Sequence, residues 1–192
     1  MKYMLKLKKY GNLAFTSHRD FISIIEYTLR RAKCPLEFSK GFSPKPIFSY
    51  TSALPLGYIN RELYIIVNTK KSFNFEILNS CSPKGLKLIE FQEKNDDFNI
   101  NEEIDKFKFR IYISKNIYEN FKNMDLIQKG QNFYNKNEIF EDLKCYNNNN
   151  KIYILEFFQN TKNIFNFYKI INKMNLKNFI YYPYCIETVW RG

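Results

Sequence analysis

The chain opens on Tyr3-Met4-Leu5-Lys6-Leu7-Lys8, where apolar and charged side chains alternate as they do in a half-buried strand, and Gly11-Asn12 then turns it. From Ser17 the period changes. Phe21, Ile22, Ile25, Leu29 and Ala32 fall on one stripe of a helix predicted from Ser17 to about Lys33, with Pro35 as its stop. Leu36 to Phe38, Ile47 to Ala53 and Leu63 to Val67 read as strands, separated by the turn-rich run Ser39 to Pro46 and by Pro55-Leu56-Gly57. A short helix over Phe73 to Asn79, a turn at Ser82-Pro83-Lys84-Gly85 and a strand over Leu86 to Phe91 follow. Beyond an acidic, asparagine-rich stretch, Lys106 to Ser114 alternates as a strand, Ile117 to Met124 reads as a short helix, and Lys151 to Phe158 is a strong strand. Ile164, Phe167, Tyr168, Ile171 and Met174 make a second helical stripe, and Ile186 to Trp190 a closing strand; Asn147 to Asn150 reads as a flexible turn.

A strand, a helix, two or three strands, a helix and a final strand within the first 94 residues is the order of a ferredoxin-like α/β (α+β) sandwich. The expected organisation is therefore a ferredoxin-like unit over 1–94, a linker over 95–105 and a second half over 106–192. That second half is expected to be a degenerate ferredoxin-like copy, an inference from element order alone.

Composition adds exclusions. With 192 residues, 45% of them hydrophobic, and only six glycines and six prolines, the chain can bury a real core. No window approaches about eighteen consecutive apolar residues and the start does not resemble a signal peptide, so a cytoplasmic protein without membrane association is expected. Cys34, Cys81, Cys145 and Cys185 lie far apart and there is one histidine, so neither structural disulfides nor a legible metal centre is expected, and no cofactor is implied. The formal net charge is +11, and it is unevenly placed. Residues 1–60 carry ten Lys/Arg against three Asp/Glu, whereas residues 95–192 carry fourteen against twelve. A basic first third attracts polyanions, with nucleic acid the obvious partner.

Three segments carry candidate chemistry. In Ser17-His18-Arg19-Asp20, a histidine beside a carboxylate and a hydroxyl can supply acid and base groups near neutral pH; alternatively Ser17 and Asp20 form a capping box, leaving His18 as an outward residue. Arg30 and Arg31 close the same helix, where cations offset the carbonyl end of the dipole. Adjacent residues point in different directions, so one of them remains for phosphate or carboxylate. The loop Ser39-Lys40-Gly41-Phe42-Ser43-Pro44-Lys45-Pro46 combines a permissive glycine, two stiffening prolines, an aromatic and two lysines. It reads either as an anion-binding loop or as a stiff connection, and it lacks the spacings of a nucleotide phosphate cradle.

The run FTSHRDFISIIEYTLRRAKCPLEFSKGFSPKPIFSYTSALPLGY resembles the signature of the radical SAM-linked family, a bacterial domain found fused to, or encoded beside, radical SAM proteins. That signature has S-H-L-D, a helix ending in R-R-A, L-x-x-S-x-G-F-N-P-x-P, and a P-L-x-x-G or P-L/V-G turn, here ending at Pro55 and Gly57. This chain has Arg19 in place of the usual leucine, Ser43 in place of asparagine, and Lys45 where a histidine is common. The resemblance implies association with a radical SAM protein. The chain has no C-x-x-x-C-x-x-C run for an iron–sulfur cluster, so it is not expected to be that enzyme itself. Some relatives are joined to ribonuclease G-like proteins, which points toward RNA.

Three functions are carried forward. The leading one is a non-catalytic, RNA-binding or substrate-presenting partner of a radical SAM enzyme, with His18, Arg30, Arg31, Lys40 and Lys45 on one anion-binding surface. The second is a metal-independent endoribonuclease, in which His18 acts with Lys40 or Lys45. The third is a protein-interaction adaptor that binds no nucleic acid.

Overall fold

The computed structural model describes residues 1–148, 151–173 and 181–191. The chain is an α+β protein built mostly from strands with a few helices. It divides into two compact units, Met1–Ile104 with Trp190–Gly192, and Asp105–Val189.

In the first unit β1 (Lys2–Lys9) leads through a 3-10 turn (Gly11–Phe15) into α1 (His18–Arg31). Then come β2 (Phe48–Tyr50), β3 (Ile59–Asn68), a second 3-10 turn (Phe75–Ile77), α2 (Leu78–Cys81), β4 (Leu86–Lys94) and α3 (Ile100–Glu103). Within this unit the strands lie in the order β4-β1-β3-β2, each antiparallel to its neighbour. The alternation of β1 puts Tyr3, Leu5 and Leu7 on the face that α1 covers with Phe21, Ile25 and Leu29, and Leu63, Ile65 and Val67 of β3 complete that core. Lys9 shares the parity of Leu7, so it too is directed at α1, where its ammonium stands 4.6 Å from the centre of the Phe21 ring.

The end of α1 depends on more than Pro35. The Cys34 N–H donates to the Leu29 carbonyl and the Lys33 N–H to the Arg30 carbonyl, with Lys33 itself at φ 57. This is a Schellman closure in which Leu29 and Cys34 both join the core, although a lysine occupies the position usually given to glycine. The expected strand Leu36 to Phe38 is reduced to two isolated bridges, Leu36 to Thr69 and Phe38 to Pro46, because Pro35 and Pro46 have no N–H to give a ladder. The stretch expected as a linker holds α3, whose Ile100 is fully buried, and Lys2 Nζ reaches back to the Phe98 carbonyl at 3.1 Å.

In the second unit β5 (Ile104–Ser114), α4 (Lys115–Lys122), β6 (Leu126–Lys129), β7 (Asn132–Asn135), α5 (Lys136–Ile139), β8 (Glu141–Asn148), β9 (Ile152–Asn160), α6 (Phe167–Lys173) and β10 (Tyr181–Trp190) follow in order. Its strand order is β10-β5-β9-β8, with β6 and β7 forming a separate hairpin. Much of the aromatic content fills this core: Phe140 lies 4.6 Å from Phe157 and 5.3 Å from Phe121, and Phe121 lies 5.2 Å from Phe167, ring centre to ring centre. The hairpin and β8 were not legible in the sequence, and Asn149, Asn150 and Met174, named there, lie outside the described residues. Among the described residues no helix is long and apolar enough to cross a membrane.

Two glycine-related substitutions should act with opposite sign. Gly85 sits at φ +103, and an added Cβ would come within 2.6 Å of the Tyr10 carbonyl oxygen, so Gly85→Ala should destabilise by about 2 kcal/mol or more in chemical denaturation. Lys33→Gly should instead stabilise by roughly 0.5–1 kcal/mol by relieving the left-handed backbone.

Candidate functional site

At the start of α1, Ser17 is the cap residue. Its Oγ accepts from the Asp20 N–H at 3.1 Å and its hydroxyl donates to the Asp20 carboxylate at 2.7 Å. Asp20 in the first turn also suits the positive end of the helix dipole. Next to the cap, His18 is half-buried and meets the ring of Tyr50 edge-on at 4.8 Å. Lys9 stands nearby, with its ammonium donating to the Thr16 carbonyl at 3.0 Å. Burial, and secondarily the charge of Lys9, lower the His18 pKa below its ordinary value of 6.5, and burial lowers that of Lys9 as well. The imidazole is therefore held toward its neutral form. Lys9 and Tyr50 were not among the residues the sequence singled out, although the alternation of β1 already put Lys9 on the face of Leu5 and Leu7.

At the other end of α1 the two arginines diverge. Arg30 is ion-paired with Glu26 one turn earlier (Nη2 to Oε1, 2.7 Å), a spacing readable in the sequence, and its guanidinium lies 5.0 Å from the centre of the Phe38 ring. Arg31 is exposed and makes a long 3.4 Å bond to Thr28 Oγ1. Both arginines line a groove of about 630 Å³ together with Leu13, Ile24, Tyr27 and Pro83.

Phe38 is the start of the glycine-proline loop. The Ser39 N–H donates to the Lys45 carbonyl at 2.8 Å and the Lys45 N–H to Ser39 Oγ at 3.1 Å, while Phe38 bridges Pro46, so the loop is closed at its base. Beyond that base Lys40, Gly41, Phe42, Ser43, Pro44 and Lys45 are all exposed. Gly41 adopts φ 134 with open space around an added Cβ, so the backbone angle alone demands glycine. Pro55 and Gly57 serve a turn: the Tyr58 N–H donates to the Pro55 carbonyl at 3.3 Å, and the Gly57 N–H to the Ala14 carbonyl at 2.9 Å.

The structure thus brings Arg30 beside the base of the loop that carries Lys40 and Lys45, and sets His18 apart from both. His18 and Arg30 are separated by roughly 18 Å of helix axis. Lys45 and Tyr50 flank an extended run of roughly 16 Å. Cys34 is buried and its thiol pushed up to about 12 by that burial, which makes it an inert core residue. Among the described residues no group of three or more His, Cys, Asp or Glu side chains is arranged to hold a metal ion.

A family profile described as "uncharacterized protein conserved in bacteria" (DUF2344) matches residues 2–185. The chain belongs to that family. The match takes in the capped helix, both arginines and the whole loop. A search of curated proteins finds no match. Among solved structures, the crystal structure of an unknown protein from Galdieria sulphuraria is 9% identical over 98% of each chain, with a TM-score of 0.26, a likeness too slight to carry an argument.

Two outcomes are expected. Ser17→Ala should lower the stability by about 1 kcal/mol, read from the denaturation midpoint, with Ser17→Thr, which keeps the hydroxyl, closer to the parent. The single histidine gives an unambiguous NMR titration, which should fall below pH 6.5 and move upward in Lys9→Gln; a value at or above 6.5 in the parent would contradict the burial described. Because the folded pKa is the lower one, His18 contributes stability above pH 6.5 that is lost as the pH falls from there through the folded value.

Proposed function

We propose that the chain is a non-catalytic RNA-binding module with two ferredoxin-like units, acting as the partner of a radical SAM enzyme. The observation that carries the RNA reading is the loop tip, where Phe42 stands fully exposed between Lys40 and Lys45 on a base closed by hydrogen bonds. An exposed ring flanked by cations offers a stacking surface for one base and charge for the neighbouring phosphates, and a pre-closed loop loses little freedom on binding. The excess of ten basic over three acidic residues in 1–60 supports the same reading.

The ferredoxin-like reading is supported by the strand orders β4-β1-β3-β2 and β10-β5-β9-β8, which are the same order once the β6–β7 hairpin is left out and each unit's remaining strands are counted from its own first strand. The radical SAM partnership rests on the resemblance of the Phe15 to Tyr58 segment alone. An endoribonuclease in which His18 acts with Lys40 or Lys45 is disfavoured by distance, since an acid and a base serving one phosphodiester must both reach it. The adaptor reading uses the same loop tip on a protein, and salt dependence separates the two.

Binding of a labelled oligouridylate, followed by fluorescence anisotropy from low to moderate salt, tests the proposal. Lys40→Ala/Lys45→Ala should weaken binding for all sequences alike and lower the salt slope by roughly two, and Phe42→Ala should weaken it with the slope unchanged. Parent-like affinity and slope in the double variant would overturn the RNA reading in favour of the adaptor.

A further inference from the structure

Beside α1, an apolar floor meets two guanidinium groups. Ile24, Tyr27 and Arg31 stand at i, i+3 and i+7, one ridge of the helix, while Leu13 and Pro83 contribute from the first 3-10 turn and from the turn before β4. The volume of about 630 Å³ is that of a site for several side chains rather than for a single ion. Tyr27 is 63% exposed, an aromatic side chain left open to solvent. The rim is positive: Arg30 and Arg31 line it, and Lys84, next to Pro83, is exposed. None of the described lining residues is a carboxylate.

These features select by chemistry. A phosphodiester backbone would satisfy the rim but offers nothing to bury against Leu13, Ile24 and Pro83. A wholly apolar partner would leave Arg31 without an anion and Arg30 with Glu26 alone. We propose that the groove docks a short acidic segment of a protein partner, its bulky apolar side chains seated on Leu13, Ile24 and Pro83 and its carboxylates on Arg30 and Arg31. The arginines are poised for the exchange. The Arg30–Glu26 pair is an exposed i,i+4 pair of the weak kind, and Arg31 is held at only 3.4 Å by Thr28, so an incoming carboxylate displaces little and gains a forked contact. The same Arg30 lies over Phe38, so a segment passing it reaches the base of the Ser39 to Pro46 loop. The groove does not depend on the RNA reading of that loop, and either can fail alone.

The test uses the full chain and a short fluorescein-labelled peptide of glutamate, leucine and tryptophan, read by anisotropy. One control peptide has lysine for glutamate, and another has serine for leucine and tryptophan. The first peptide should bind and both controls should bind at least about tenfold more weakly. Arg31→Glu and Tyr27→Ser, both exposed positions, should each weaken the first peptide by about tenfold with the circular dichroism spectrum unchanged, whereas Lys40→Ala/Lys45→Ala should leave it as in the parent. Failure of the first peptide to bind, or parent-like affinity in both groove variants, would overturn the proposal. So would loss of oligouridylate binding in Arg31→Glu without loss of peptide binding, which would make the rim a phosphate site.

Discussion

The packing of Phe21, Ile25 and Leu29 onto Leu5, Leu7, Ile65 and Val67 fixes the position of every candidate residue in the first unit. Each of these side chains contributes roughly 1.5–3 kcal/mol on burial, so α1 has one azimuth on the sheet and its outward residues have one set of directions. Its two ends then differ in chemistry. The capped start holds a half-buried imidazole beside a half-buried ammonium, an arrangement that lowers the pKa of each. The closing end carries two arginines, one tied back to Glu26 and laid on Phe38, and so meets the glycine-proline loop. Because Leu29 and Cys34 are joined through the helix closure, the chain leaving α1 is directed at once into that loop.

The second unit arranges its charge differently. On β5, Lys106 pairs with Glu141 at 2.5 Å, Lys108 with Glu187 at 3.6 Å and Arg110 with Glu156 at 2.5 Å. Cations answered by carboxylates attract polyanions weakly, so these three on β5 add little to an anion-binding surface. Lys40 and Lys45 are exposed on the first unit's loop, where the anion-binding surface is proposed.

The elements with strong periodicity were legible: β1 and β5 from their alternation, α1 from its stripe and its Ser17 cap, and β9 from its apolar run. What was missed has physical reasons. Leu36 to Phe38 is apolar at both ends, but the proline before it and the proline opposite Phe38 deny it a ladder. Leu126 to Asn135 is a hairpin of two four-residue strands, too short for a period to emerge, and β8 is polar along most of its length. At the candidate site the Ser17 and Asp20 roles and the exposure of Lys40 and Lys45 were readable, because they depend on local sequence. The separation of His18 from the arginines was readable in principle from helix length. The contact of Arg30 with Phe38, the pairing of His18 with Tyr50 and the groove between α1, Leu13 and Pro83 were not, since each depends on how separate elements pack.

Chemical-shift mapping on the isotopically labelled full chain, titrated with an oligouridylate at low and then moderate salt, bears most directly on the claim that the loop is the anion-binding surface. The account predicts perturbations concentrated at Lys40 to Lys45 with Arg30 affected, the His18 and Tyr50 signals little moved, and the whole pattern fading as salt rises. Perturbations centred on β5 and β9, or a loop that does not respond at any salt concentration, would contradict it.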